Sequence, residues 1–215
     1  MNIQNFLLSL VFYMISALGI SLTIKADIGV SSFNSFNVAF STFTSIKVGT
    51  VTTLINCLFL VICWLLDRKR TIKSYLVMLV ALISFGNVIN LFLYHLLAPI
   101  MVTSYLSGIL LFIAGTIIAG FGTGQVLALG FLKFPIENFC ALLSARTDRS
   151  FQFYRYLIDC VCILLSLLLS ITYHLPIFVR EGTLISLFLL SFVISWSKEL
   201  RLTQSGDTVK KNMGS

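Results

Sequence analysis

The segment Gly19–Leu66 reads GISLTIKADIGVSSFNSFNVAFSTFTSIKVGTVTTLINCLFLVICWLL, and the segment Gly122–Leu169 reads GTGQVLALGFLKFPIENFCALLSARTDRSFQFYRYLIDCVCILLSLLL. The two segments align without a gap at an offset of 103 residues. Each contains a hydrophobic helix, a short amphipathic segment and a second helix, and that second helix carries a polar residue at the same position, Asn56 or Asp159. Because these unusual features coincide, the sequence predicts an internal repeat.

The composition predicts a membrane protein. The chain is 58% hydrophobic and 11% charged, and its mean hydropathy is +0.99, whereas a soluble domain carries about 25% charged residues. Between Lys73 and Lys133 there is no Asp, Glu, Lys or Arg. A helix that crosses a bilayer needs about 20 apolar residues, so the membrane accounts for nearly the whole chain. We expect the net charge of +7 to lie in loops that set topology, which argues against nucleic-acid binding.

We predict an all-α protein with six transmembrane helices. Their expected bounds are Phe6–Ile24, Gly49–Leu66, Ser74–Leu97, Thr103–Leu129, Phe151–Tyr173 and Gly182–Ser197. Pro99 ends the third helix, because proline cannot continue one. The segment 198–215 is polar and lacks an apolar period, which predicts a disordered tail.

Basic residues predict the orientation. If the loop around Arg68 is cytoplasmic, eleven basic residues lie inside: Arg68, Lys69, Arg70, Lys73, Lys133, Arg146, Arg149, Lys198, Arg201, Lys210 and Lys211. Only Lys25, Lys47 and Arg180 lie outside. Cytoplasmic loops are enriched in Lys and Arg, so both termini are expected in the cytoplasm of a bacterial plasma membrane.

This orientation makes the two repeats inverted, because the first and fourth helices then cross the membrane in opposite directions. We expect repeat one over 1–97 and repeat two over 98–197, followed by the tail over 198–215. Inverted repeats are typical of secondary transporters, which bind their substrate at the repeat interface.

A short amphipathic helix is predicted in each repeat, over about 31–45 and 134–146. The first has an apolar stripe of Phe33, Phe36, Phe40 and Phe43, and the second has Ile136, Phe139 and Leu143 at matching positions. The spacing i, i+3, i+7 is helical. Such helices either lie on the membrane surface or re-enter the bilayer, and the sequence leaves both alternatives open.

The run Leu18–Ser32, LGISLTIKADIGVSS, together with Arg155 four residues before Asp159, resembles the YczE/YyaS/YitT family of bacterial integral membrane proteins. The resemblance is closest to the YczE branch and covers nearly the whole chain. Phe33 stands where that family usually has proline or tryptophan nearby. The resemblance implies a fold and a compartment more than an activity.

Arg155 and Asp159 are the strongest functional candidates. Residues four apart share one face of a helix, and a charge within a span costs roughly 2.5–3.5 kcal/mol on insertion scales. A substrate-binding or proton-coupling pair accounts for them, and so does an internal salt bridge with Arg155 reaching towards the cytoplasm. Asp159 lies deeper, so the second interpretation fits it less well.

Five further residues are candidates for a substrate or ion path: Glu137, Asn138, Asn56, Lys25 and Asp27. Glu137 and Asn138 begin the second amphipathic helix, and Lys25 and Asp27 precede the first. Free N–H groups at such helix N-termini favour anions, which predicts an anionic or carboxylate-bearing solute. A solvated interfacial cluster, Glu137 acting as a helix cap and Asn56 bonding a neighbouring helix are the structural alternatives.

The sequence thus predicts a small-molecule secondary transporter or exporter, with a membrane scaffold or regulatory partner protein as the alternative. We recognise no catalytic constellation, so an enzyme is not expected, and we expect neither a cofactor nor a metal site. The expected partners are the lipid bilayer, a small solute and a second copy of the chain in a homodimer.

Overall fold

The computed structural model describes residues 3–68 and 71–213, with side chains over 4–68 and 71–203. Most of the described residues are helical, and the helix bounds are α1 Ile3–Lys25, α2 Ser32–Thr44, α3 Val48–Leu66, α4 Ile72–Leu91, α5 Tyr105–Leu129, α6 Pro135–Ser144, α7 Phe151–Thr172 and α8 Glu181–Met213. A π-helical turn, Phe92–Leu96, extends α4.

Six of these helices are long and apolar enough to cross a membrane, namely α1, α3, α4 with its π turn, α5, α7 and the first part of α8. This confirms the all-α membrane fold. The predicted spans agree with these helices to within a few residues at most ends. We call the face of the bundle at which α1 begins the N-face.

The C-terminal segment differs from its prediction. A disordered tail was expected from residue 198, but α8 continues to Met213. Two hydrogen bonds to α5 stabilise the helix where this segment begins. The Arg201 guanidinium donates to Gln125 Oε1 at 2.9 Å, and Gln125 Nε2 donates to the Ser197 carbonyl at 2.8 Å. Residues 214–215 lie outside the described part of the chain.

Helices α1 and α5 form the centre of the bundle and run antiparallel. A Cβ atom on Gly19 would collide with the backbone of Ala119. One on Gly122 would lie 2.7 Å from the Phe12 carbonyl oxygen and 2.7 Å from the Ser16 amide nitrogen. Ser16 and Thr123 also share a hydrogen bond of 2.9 Å. Small residues thus allow the two backbones to touch, as they do in many membrane helix pairs.

The other helices pack around this pair in a reciprocal pattern. Helix α2 contacts α7 while α6 contacts α3, and α1 contacts α4 while α5 contacts α8. One pair breaks the pattern. Helices α3 and α4 are in close contact, but in the described part of the chain no Cα atom of α7 lies within 8 Å of one in α8.

The short helix α2 has its polar side buried. Its buried residues include Ser32, Asn34, Ser35, Asn37 and Ser41. Ser166, well inside the span α7, donates from its hydroxyl to the Ser35 carbonyl at 3.0 Å. The predicted phenylalanine stripe faces away from this contact, and Phe33, Phe36 and Phe40 line an apolar groove of about 540 Å³ that is shared with α3, α6 and α7.

This orientation distinguishes between the two alternatives for α2. A helix that lay flat on the membrane would turn its polar side to water, whereas α2 turns that side to protein and its phenylalanines outwards. We conclude that α2 re-enters the bundle between α3 and α7.

We expect Gly122→Ile to lower the free energy of unfolding by about 1–3 kcal/mol, because the added side chain must separate two backbones in contact. Thermal unfolding in detergent, followed by tryptophan fluorescence, measures the change. Ala114→Ile is the matched control, because Ala114 lies on the exposed side of the same helix. Equal losses in the two variants would contradict the close crossing of α1 and α5.

Candidate functional site

The N-termini of α2 and α6 meet in the interior of the bundle, where they border a central cavity of about 90 Å³. Ser31 and Asn34 contribute from the start of α2, and Ile136 and Glu137 from the start of α6. The remaining polar lining comes from the long helices: Ser16, Thr52, Asn56, Thr123 and Arg155. The cavity therefore lies between the two halves of the chain.

Local sequence explains how each short helix begins. Ser31 is the residue before α2, but its side chain caps no backbone amide; instead it accepts a hydrogen bond from Asn34 Nδ2 at 2.9 Å. Pro135 occupies the first turn of α6, and Glu137 is the acidic residue in that turn. A carboxylate there is stabilised by the positive end of the helix dipole.

Glu137, Arg155 and Asp159 form what we call the charged cluster. Arg155 Nη1 lies 3.2 Å from Asp159 Oδ1, and Arg155 Nε lies 4.0 Å from Glu137 Oε1. Asp159 is 8% exposed, and the Arg155 and Glu137 side chains are 27% and 22% exposed. The guanidinium thus lies between two carboxylates, one from its own helix and one from α6.

A second and larger cavity, of about 330 Å³, opens from the charged cluster into the gap between α7 and α8. We call it the lateral cavity. All three residues of the charged cluster line it. Residues of α8 form the opposite wall, including Ser186, Leu187, Leu190, Ser191, Ile194 and Ser195. Since Arg155 and Glu137 line both cavities, the charged cluster stands at the junction between them.

Four of the seven predicted site residues come together here. Arg155, Asp159 and Glu137 form the charged cluster, and Asn56 lines the central cavity, although its amide also donates to the Thr52 carbonyl at 2.8 Å. The structure thus contains the predicted salt bridge and extends it with a carboxylate from a different helix.

The other three candidates lie elsewhere. Asn138 is buried beside Cys63 and Tyr75, because its place on α6 turns it towards α3 and α4. Lys25 Nζ contacts the Ala98 carbonyl at 3.5 Å, and the Asp27 carbonyl accepts from Arg180 at 2.9 Å. Lys25 and Asp27 thus belong to loop contacts on the face opposite the N-face, and neither lines the two cavities in the described part of the chain.

The serines of α8 and the polar pair Ser31 and Asn34 were not singled out from the sequence. Serine is common in apolar spans and often bonds its own helix backbone, so its presence alone carries little signal. The α8 serines line the lateral cavity because the packing of α8 leaves one side of that helix open to it.

The fold and the charged cluster together define a multi-pass helical membrane protein with ionisable side chains in its interior. The chain belongs to a family of unknown function, DUF6198, which matches it over residues 3–199. It is 31% identical over 176 residues to the uncharacterized protein YyaS of Bacillus subtilis (strain 168), a match that covers 82% of this chain and 83% of the relative. No solved structure matches it. The resemblance is thus confirmed for YyaS, while the closeness to the YczE branch stays a prediction.

We expect Arg155→Gln to lower the free energy of unfolding by about 1–3 kcal/mol, because it leaves two carboxylates facing each other without a counter-charge. Adding Asp159→Asn to that variant should restore much of the loss, since one uncompensated charge is removed with it. Thermal unfolding of the single and double variants measures the coupling. Strictly additive losses would show that the two side chains do not interact.

Proposed function

We propose that this protein is a small secondary transporter of the bacterial plasma membrane. The observation that carries the proposal is the charged cluster at the junction of the central and lateral cavities. Ionised side chains within spans are costly, and they usually mark an ion or substrate path. Here they adjoin the starts of the re-entrant helix α2 and of the short helix α6, an arrangement typical of transporter sites.

The packing supports the proposal that the chain consists of two inverted repeats. At the offset of 103 residues, the contact of Gly19 with Ala119 corresponds to the contact of Gly122 with Ser16. Because α1 and α5 are antiparallel, a two-fold axis in the membrane plane relates these contacts.

A second pair of contacts supports the same axis. The contact of Ser166 with Ser35 in α2 corresponds, at that offset, to the contact of Cys63 with Asn138 in α6. Cys63 Sγ also lies 3.4 Å from the Pro135 carbonyl oxygen in the same turn. In each half, a long helix therefore contacts the short helix of the other half at the corresponding positions.

The broken symmetry suggests how such a transporter would work. Helices α3 and α4 pack against each other, whereas α7 and α8, the corresponding helices of the second repeat, stand apart in the described part of the chain. In the proposed orientation the open pair exposes the charged cluster towards the cytoplasmic half of the membrane. Asp159 would act as the coupling acid, with Arg155 and Glu137 lining the path.

A flux measurement tests the proposal. Purified protein in liposomes, with a proton gradient across the membrane, would be given a defined mixture of amino acids, amines, carboxylates and organic cations, and the trapped solutes would be quantified by mass spectrometry. We expect at least one solute to accumulate with the wild-type protein, and Asp159→Asn to reduce its accumulation about tenfold or more.

Asp27→Asn is the matched control, since it removes a carboxylate that is exposed and distant from the cavities; its flux should equal that of the wild type. Size-exclusion chromatography of each variant verifies that it is folded. If the wild type, Asp159→Asn and empty liposomes accumulate the same solutes equally, the transporter function is refuted.

Cysteine labelling tests the orientation. In a cysteine-free background, Ile46→Cys and Ala145→Cys place one thiol on each face of the bundle, both at exposed positions. A membrane-impermeant maleimide should label Ile46→Cys in intact cells and Ala145→Cys only after permeabilisation, because loops rich in Lys and Arg remain cytoplasmic. The reverse labelling would invert the proposed orientation.

The second candidate function is a non-transporting partner of another membrane protein. The gap between α7 and α8 favours it, because a helix from a partner could occupy that gap. A stable complex that buries the lateral cavity, combined with an absence of solute flux, would support this alternative over transport.

A further inference from the structure

The charged cluster carries an unbalanced formal charge. It contains two carboxylates, Glu137 and Asp159, and one guanidinium, Arg155. In the described part of the chain no other Asp, Glu, Lys, Arg or His lines the central or the lateral cavity. With all three groups ionised the cluster carries one net negative charge. A net charge in a poorly solvated site is costly, so the cluster is most stable when it holds either a proton or one monovalent cation.

The net negative charge of the cluster argues against the anionic solute that the helix N-termini predicted. An anion would raise the net negative charge of a cluster in which the guanidinium lies 3.2 Å from the Asp159 carboxylate and 4.0 Å from that of Glu137. The positive end of the α6 dipole is likewise occupied by Glu137 in its first turn. The geometry therefore favours a cation at this site.

The gap between α7 and α8 is encoded in the sequence. Helices α3 and α4 close because Gly49 lies against Gly86, where a Cβ atom on either residue would meet the other helix, and because Thr53 is small enough to sit beside Gly86. At the offset of 103 residues Gly49 corresponds to Gln152 and Thr53 to Tyr156. These larger side chains line the lateral cavity, at the positions where glycine and threonine allow α3 to contact α4 in the first half.

The lateral cavity combines an apolar wall with aromatic rings. Leu187, Leu190 and Ile194 form much of its α8 side, and the exposed residues Phe151 and Tyr156 contribute rings from α7. Cations bind favourably over such ring faces, and a volume of about 330 Å³ lies within the usual range of small-molecule sites. Because the gap lies between two membrane spans, a molecule dissolved in the bilayer can reach it from the side.

We propose that the substrate is an amphipathic organic monocation, which reaches the charged cluster from the bilayer between α7 and α8. This inference rests on the proposed transporter function. When the cation binds, the Asp159 carboxyl releases one proton, and when the cation leaves, Asp159 takes up one proton. The net charge of the cluster is the same in both states, and the protein exchanges one cation for one proton.

Tetraphenylphosphonium is a suitable probe, because tetraphenylborate has nearly the same shape and the opposite charge. Binding to the full chain in nanodiscs of neutral lipid would be measured by calorimetry, and proton release by a pH indicator in weakly buffered solution. We expect one phosphonium site and about one proton released per cation bound. Tetraphenylborate should not bind, and the hydrophilic cation tetramethylammonium should bind at least tenfold more weakly.

The variants locate the site. Asp159→Asn and Glu137→Gln should each weaken phosphonium binding about tenfold or more and reduce the proton release, whereas Asp27→Asn should leave both unchanged. Ser191→Trp narrows the gap and should slow binding several-fold, while Phe188→Trp, an exposed position on the same helix outside the cavity lining, should not. Size-exclusion chromatography verifies that each variant is folded.

The outcomes separate this inference from the proposed function. If the flux measurement finds an Asp159-dependent anion or neutral solute and the phosphonium does not bind, the cation inference is overturned while the transporter stands. Phosphonium binding that is unaffected by Asp159→Asn and Glu137→Gln also overturns it. Binding with proton release, but without flux of any solute, supports the cation site and overturns transport.

Discussion

The crossing of α1 and α5 is the contact on which the rest of the bundle depends. Gly19 and Gly122 let these two helices touch through their backbones rather than through side chains. Because the helices are antiparallel and their glycines are reciprocal, they form one central pair. Helices α4 and α8 pack on the outer sides of this pair, and the short helices α2 and α6 pack against α7 and α3, respectively.

A few side chains of α7 distinguish the second half of the chain from the first at the offset of 103 residues. Gln152 and Tyr156 stand where the first half has Gly49 and Thr53, and Arg155 and Asp159 stand where it has Thr52 and Asn56. The first set lines the gap between α7 and α8, and the second places charges beside it. Helices α3 and α4 pack against each other, whereas in the described part of the chain α7 and α8 stand apart.

The sequence predicted the spans well because each is a long apolar run whose ends are marked by charge, proline or glycine. It also predicted the neighbourhood of Arg155, Asp159 and Glu137, since charges at membrane depth must collect away from lipid. It could not place Lys25, Asp27 and Asn138, whose surroundings are set by loop contacts and by the rotation of α6. Nor did it reveal the helical continuation beyond Lys198, because its composition gives no sign of the contact between Arg201 and Gln125.

The inward-facing polar side of α2 bears on how the protein is made. The Ser35 carbonyl accepts a hydrogen bond from the hydroxyl of Ser166, which lies 131 residues later in the chain. Before α7 has been synthesised and inserted, α2 can pack against α3, where Asn37 donates to the Thr52 hydroxyl, but it lacks the surface of α7, and an unsatisfied polar group in lipid is costly. Helix α6 similarly packs against α3, so each half of the chain holds the short helix of the other half. Helix α2 therefore completes its contacts only after α7 has crossed the bilayer, whereas α3 is already present when α6 is made.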